Sequence, residues 1–262
     1  MELKTNSFCY AEYVKILNSI KNSGKAYSFA QLSNKPKEKF VIVRHDVEFS
    51  VERAYKMALV EHEHDFHSTY FFQLTNNAYN VLSEKNLRLI NAIRNMAGNT
   101  GWHEVGLHFH LHGLEDIELI KKRIKMEIDT MSAMMGFQIT SFSIHRPPKE
   151  ILRSNIALPG IINAYDKSFF EFTDDVDKYP PKIKYMTDSR HHWNYNLYPD
   201  EDTIMKYDKV QILIHPYSWT ETGYGSEENF DTLIQEEFKE YIGTLDTECN
   251  HFRKELYENI NI

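Results

Sequence analysis

Four short polar clusters hold side chains able to do hydrolytic chemistry. The first is Arg44-His45-Asp46-Val47-Glu48. On an extended backbone residues two apart share a face, so Asp46 and Glu48 can reach one point, one carboxylate binding a metal while the other handles a proton. The second runs from His103 through Glu104, His108 and His110 to His112. Imidazole suits zinc and other borderline metals. His108 and His110 share a face if a strand continues there, and His108 and His112 converge if the chain turns into a loop. The third, His145-Arg146-Pro147-Pro148, has prolines that fix the turn and a permanent positive charge at its rim. The fourth is His215-Pro216-Tyr217-Ser218-Trp219. Each has a plainer reading: a helix N-cap or surface ion pair for the first, unrelated surface histidines for the second, a helix start with proline for the third, a structural histidine for the fourth. His62, His64 and His67 lie on or beside a helix and read as solvated.

What must position these clusters is a regular alternation. Phe40–Val43, Ser68–Phe72, Val105–Phe109, Ile139–Ile144 and Val210–Ile214 read as strands, with shorter ones near 161–165 and 183–187. Between them 51–64, 83–97 and 115–135 read as helices, Ser83 capping one and Gly136 ending another. Residues 8–22, with Ser7 as N-cap, read as an opening helix, and 227–258 as a closing helical stretch. The region 150–200 is irregular and aromatic-rich. Strand–helix repetition of this kind implies parallel βαβ units. The fold class expected is α/β, a distorted (β/α) barrel of about seven parallel strands. All four clusters follow strands at their C-terminal ends, the face on which such barrels assemble active sites.

Composition narrows the function. The chain has 262 residues, 42% of them hydrophobic, and a net charge of −8. A nucleic-acid partner is therefore not expected. Cys9 and Cys249 make neither a disulfide framework nor a zinc ribbon. The first twenty residues lack the apolar core of a signal peptide, and no apolar run is long enough to span a bilayer. These features fit a cytoplasmic protein without a transmembrane segment. One catalytic domain over 1–262 is expected: a helical N-terminal extension over 1–36, the barrel over 38–220 and a helical stretch over 221–262.

The order of motifs resembles the polysaccharide deacetylases of the NodB type, carbohydrate esterase family four. HEVGLHFHLHG, 103–113, is similar to that family's metal motif. RHDVE, 44–48, looks like its first acidic motif in a branch reading Arg-His-Asp-x-Asp. RPP, 146–148, resembles its arginine motif, LIHP, 213–216, its last histidine motif, and DSRHHW, 188–193, the motif whose essentials are Asp and Trp. The resemblance implies a divalent metal, zinc first among them, held by Glu48, His108 and His112, with Asp46 as base. It implies that Arg146 orients the base, that His215 is the general acid with Asp188 holding its imidazole, and that Trp193 walls the acyl pocket. Pro147, Tyr217 and Trp219 are further substrate-binding candidates. Two alternatives stay open: Asp46 in place of Glu48 as ligand, and His110 in place of His112. Glu48 is one methylene longer than the aspartate of that branch, and Lys149 stands where an aromatic residue often follows the prolines.

The function so implied is metal-assisted removal of an N-acyl group, acetyl or formyl, from an amino sugar or glycan precursor, nucleotide- and lipid-linked forms included. The rivals are a non-sugar amidohydrolase on the same barrel and a catalytically silent glycan-binding barrel.

Overall fold

The apolar runs become strands of one parallel sheet. In a computed structural model that describes residues 8–98, 101–171, 182–194 and 197–257, α1 (Tyr10–Asn22) and α2 (Phe29–Asn34) precede β1 (Phe40–Val47). There follow α3 (Val51–Glu63), β2 (Thr69–Phe72), α4 (Glu84–Asn95), a small hairpin of β3 (Ala97–Gly98) and β4 (Gly101–Trp102), β5 (Glu104–His110) and α5 (Ile117–Met135). Then come β6 (Ser141–His145), α6 (Lys149–Ser154), β7 (Ile162–Asn163), β8 (Ile183–Thr187), α7 (Glu201–Met205), β9 (Lys209–Ile214) and α8 (Ser226–Glu248). The large sheet has seven strands in the order β7-β6-β5-β2-β1-β9-β8, every neighbouring pair parallel. It curls into a distorted (β/α) barrel left open between β7 and β8.

Alternation along each strand sorts side chains into two layers. The outward residues Leu107, Phe109, Phe142 and Ile144 pack with Ile120, Ile124 and Ile128 of α5. Val41, Val43, Val210 and Ile212 pack with Ile16, Leu17 and Ile20 of α1. Each such side chain, buried completely, contributes about 1.5–3 kcal/mol. The inward set, which includes Arg44, Asp46, Phe71, Gly106, His108, Ser141 and Ser143, is largely polar. Gly106 keeps this interior passable, because a Cβ there would lie 2.5 Å from the Phe71 ring and 2.7 Å from Ser141 Oγ. Across the open side, the buried Gln211 donates from Nε2 to the carbonyls of Ala164 and Phe169, at 2.9 and 3.0 Å. Phe29, Ala164, Phe169 and Ile183 pack around that junction.

Helix starts follow local capping chemistry. Ser50, Ser83, Asp116 and Asp200 each accept a backbone N–H at an N-cap, and Gly136, at φ 75°, ends α5. The short α2 went unread in the sequence although Ser28 and Gln31 form a reciprocal capping box there. The Ser7 cap expected for α1 lies outside the described residues; the helix begins after Cys9. The closing helical stretch ends sooner than expected, at Glu248, with a 3₁₀ turn over Lys254–Leu256. Two strands run further than their apolar segments. Pairing with β2 from Arg44 to Val47 carries β1 through the first polar cluster, and pairing with β5 places His145 on β6. No helix of the described residues is long and apolar enough to cross a membrane.

Candidate active site

Strand alternation brings Asp46 to the inner face of β1, with Glu48 one residue past the strand's end, His108 to the inner face of β5 and His145 to that of β6. Ligand atoms of Glu48, His108 and His145 all lie within 4.8 Å of one another. His145 Nδ1 is 3.0 Å from Glu48 Oε1, His108 Nε2 is 3.1 Å from His145 Nδ1, and His108 Nε2 is 3.9 Å from Glu48 Oε1. Zinc ligands stand about 2.0–2.2 Å from the ion in a tetrahedral arrangement, so ligand atoms are roughly 3.3–3.5 Å apart. One carboxylate and two imidazoles at these spacings fit a zinc-like ion. Burial alone would raise the Glu48 carboxyl, but the surrounding imidazoles of His108, His145 and His215 hold it well below the usual carboxylate range.

The tautomer of His108 is set from behind. Its Nδ1–H donates to Ser143 Oγ at 2.7 Å, and that hydroxyl donates to Asp46 Oδ1 at 3.1 Å. Nε2 is thereby left with a lone pair facing Glu48 and His145, the second-shell arrangement that metal-ligating histidines use. Asp46, buried, lies beside this group, with Oδ2 3.7 Å from His108 Nδ1. Its cationic neighbour is Arg44, two residues earlier on the same face of β1, at 3.5 Å. Arg44 is fully buried, donates to Tyr165 Oη at 2.7 Å and has its guanidinium 4.4 Å from that ring's centroid.

Opposite this group stands His215, one residue past β9. Its Nδ1–H donates to Asp188 Oδ1 at 2.7 Å, while Nε2 faces Glu48 Oε1 at 3.9 Å. Asp188 is fixed by further donors: the His215 backbone N–H, at 3.0 and 3.1 Å from its two oxygens, and Trp219 Nε1–H at 2.8 Å. Burial pushes the imidazole down, yet the charge and hydrogen bond of Asp188, with Glu48 and Asp46 nearby, raise its pKa to about 9.

These groups form the floor of a cavity of about 1000 Å³. One wall is aromatic: Phe49, Tyr217 and Phe230 contact one another with ring centroids 4.8–6.4 Å apart. Arg146, Pro147, Arg190 and His192 line it elsewhere. Of the sequence-derived candidates, Asp46, Glu48, His108, Arg146, Pro147, His215 and Tyr217 line this one space, with Asp188 directly behind His215.

Others fall elsewhere. His112 is not brought to Glu48 and His108. Strand β5 ends at His110, the backbone turns at His112 with φ 49°, and its exposed ring meets Thr75 Oγ1 at 2.7 Å. His110, the other candidate, stacks on His145 at 5.1 Å, its Nδ1 accepting the His112 backbone N–H. His145 takes the third place instead. Arg146 does not reach Asp46: it is exposed, with φ 45°, and Arg44 occupies the position expected of it. Trp193 and Trp219 are buried in the core against Phe8, Tyr13 and Ile214. Neither lines the cavity, and Trp219 acts on the site through Asp188. The sequence reading did not place His145 beside Glu48 and His108, Arg44 beside Asp46, or Phe49 and Phe230 in the wall. Only period-two counting back from His145 to Ser143 and from Asp46 to Arg44 signalled the first two.

No protein-family model matches the chain, and no curated protein matches it. Among solved structures it is similar to a CE4 family pseudoenzyme from Bacillus anthracis, with 16% identity over 78% of this chain and a TM-score of 0.41, and spans 62% of that chain. It is similar to a Streptococcus mutans CE4 esterase, with 15% identity over 86% of this chain and 90% of that one and a TM-score of 0.45. It is also similar to a variant of the Bacillus subtilis peptidoglycan deacetylase PdaC, with 14% identity over 82% of this chain and all of that one and a TM-score of 0.36. Likeness at these levels carries no argument about chemistry.

Proposed function

We propose that the protein is a metal-dependent hydrolase that removes an N-acyl group, acetyl or formyl, from an amino sugar or glycan precursor. The observation carrying this reading is the convergence in one cavity of a carboxylate–imidazole metal set with a carboxylate on one side and an Asp-held imidazole on the other. Glu48, His108 and His145 would hold the ion. A divalent ion there supplies a Lewis acid that lowers the pKa of water and polarises the acyl oxygen. Asp46 takes the proton of the attacking water. Arg44 and Ser143 hold its carboxylate in place, so no reorganisation is needed at the moment of transfer. His215, protonated with Nδ1–H on Asp188, gives its Nε2 proton to the departing nitrogen as the C–N bond breaks. Without that proton an amide anion would have to leave. The products are a free acid and an amino sugar. Phe49, Tyr217 and Phe230 offer an aromatic wall against which a sugar ring can lie, which favours a sugar over a linear small amide.

The test is release of acetate or formate from a panel of N-acylated amino sugars and small amides, using protein loaded with zinc, cobalt or manganese. Release from sugars that stops on chelation and returns with metal supports the proposal. Release from small amides alone replaces it with a non-sugar amidohydrolase. Tight metal binding with no release from any substrate makes the protein a silent barrel.

A further inference from the structure

The charge of the cavity differs from that of the chain. The whole sequence carries −8, yet among the described residues the carboxylates that line the cavity are Asp46 and Glu48, both on its floor. These are already faced by Arg44, His108, His145 and His215. At the rim stand Arg146 and Arg190.

The two arginines come from opposite arms of the curled sheet. Arg146 directly follows β6, next to one edge, and Arg190 follows β8, the strand at the other edge. Both sit on left-handed backbone, at φ 45° and 61°. L-residues other than Asn and Asp rarely adopt that conformation, and glycine does so without strain. A turn alone would not require a guanidinium at either place, and strain of this sort concentrates where a side chain has a task. Elsewhere Arg44, Arg53, Arg88, Arg123 and Arg253 each lie within ion-pair distance of a carboxylate, and Arg94 lies over the Phe137 ring. Among the described residues Arg146 and Arg190 make no such pair.

We infer that the substrate carries an anionic group, a phosphate or a carboxylate, which Arg146 and Arg190 hold at the rim while the acyl group lies over the floor. A guanidinium presents a planar fork of N–H donors that matches either anion in two parallel hydrogen bonds. A neutral glycan would leave both exposed guanidinium groups to solvent. This inference rests on the reading of the cavity as an acyl-sugar site and narrows it to anionic sugars.

Calorimetric titration of the full chain compares N-acetylglucosamine with its 6-phosphate and with N-acetylmuramic acid, which carries a carboxylate. At least one anionic sugar is expected to bind roughly ten- to hundredfold more tightly than the neutral one, the range of one or two charge-assisted hydrogen bonds. The larger preference identifies the anion. The ratio should shrink as salt is raised and approach one in R146Q/R190Q. Competition by inorganic phosphate, and partial retention of the ratio in R146K/R190K, keep the test informative if the glutamine variant folds poorly. Equal affinities, no binding of either anionic sugar, or a preference that survives in a folded R146Q/R190Q would overturn the inference. Acetate release is followed in parallel. Anion preference without release overturns the hydrolase reading alone, and release without anion preference overturns only this inference.

Discussion

Replacing His145 with alanine should abolish tight metal binding, whereas the same change at His112 should not. The three ligand-atom separations, 3.0, 3.1 and 3.9 Å, average to about 3.3 Å, the value that a tetrahedral ion with ligands roughly 2.0–2.1 Å away requires. His145 Nδ1 contributes to the two shorter separations, so its loss leaves only the longest, His108–Glu48. Second-shell losses at metal sites typically cost about 10–100-fold in affinity. Loss of a direct ligand should exceed that, giving a zinc dissociation constant raised more than ~100-fold. His112→Ala removes a ring bonded to Thr75 on an exposed turn, so affinity should change less than about threefold, the scatter of distant surface changes. Ser143→Ala, which frees His108 Nδ1, should fall between them. The assay is competition for zinc against a chromogenic chelator, with circular dichroism to confirm folding. If His112→Ala loses the metal and His145→Ala keeps it, the reasoning from strand register is wrong, and the ligand pair lies on one segment.

Further expectations follow from the same geometry. Asp46→Asn should keep the metal but slow acyl release by about 10²–10⁴-fold, the usual share of a general base; loss of metal instead would make Asp46 the ligand and Glu48 the base. His215→Ala should slow amide cleavage far more than cleavage of an ester with an acidic phenol leaving group, which departs without a proton; equal losses on both would remove His215 as the acid. Gly106→Ala should lower stability by about 1–3 kcal/mol or prevent folding, since the new methyl meets the Phe71 ring; an unchanged melting temperature would show that the interior has room. Stability should also fall on acidification. Burial holds the His103 pKa near 4 rather than 6.5, so between those values the unfolded chain binds the extra proton and up to about 3 kcal/mol is lost as pH falls. Glu61, also buried, is brought to about 2, mainly by His45, so its contribution is complete above about 4.5 and is lost as pH falls towards 2. A melting temperature that stays flat from pH 7 to 5 would contradict the His103 assignment.

The sequence determined the parallel alternation, because a strand buried on both faces must be continuously apolar and a covering helix must repeat every three to four residues. It also determined that Asp46, Glu48, His108 and His215 stand at strand ends, since polar residues that interrupt such runs mark where the strands reach the barrel's open face. Spacing within one segment suggested His112 as the partner of His108. Whether His112 converges depends on where β5 stops, and only pairing with β6 through His110 and His145 decides that. Likewise the resemblance implied that Arg146 orients Asp46, but Arg44, on the same strand as Asp46, reaches it from inside the barrel. The resemblance implied that Trp193 walls a pocket, yet it became core, because burying an indole against Trp219 and Tyr198 removes more apolar surface from water than a polar rim would. Residue types and periodicity are local and can be read along the chain. Which atoms meet across strands is set by register and by the closing curl of the sheet, and these exist only once the whole chain has folded.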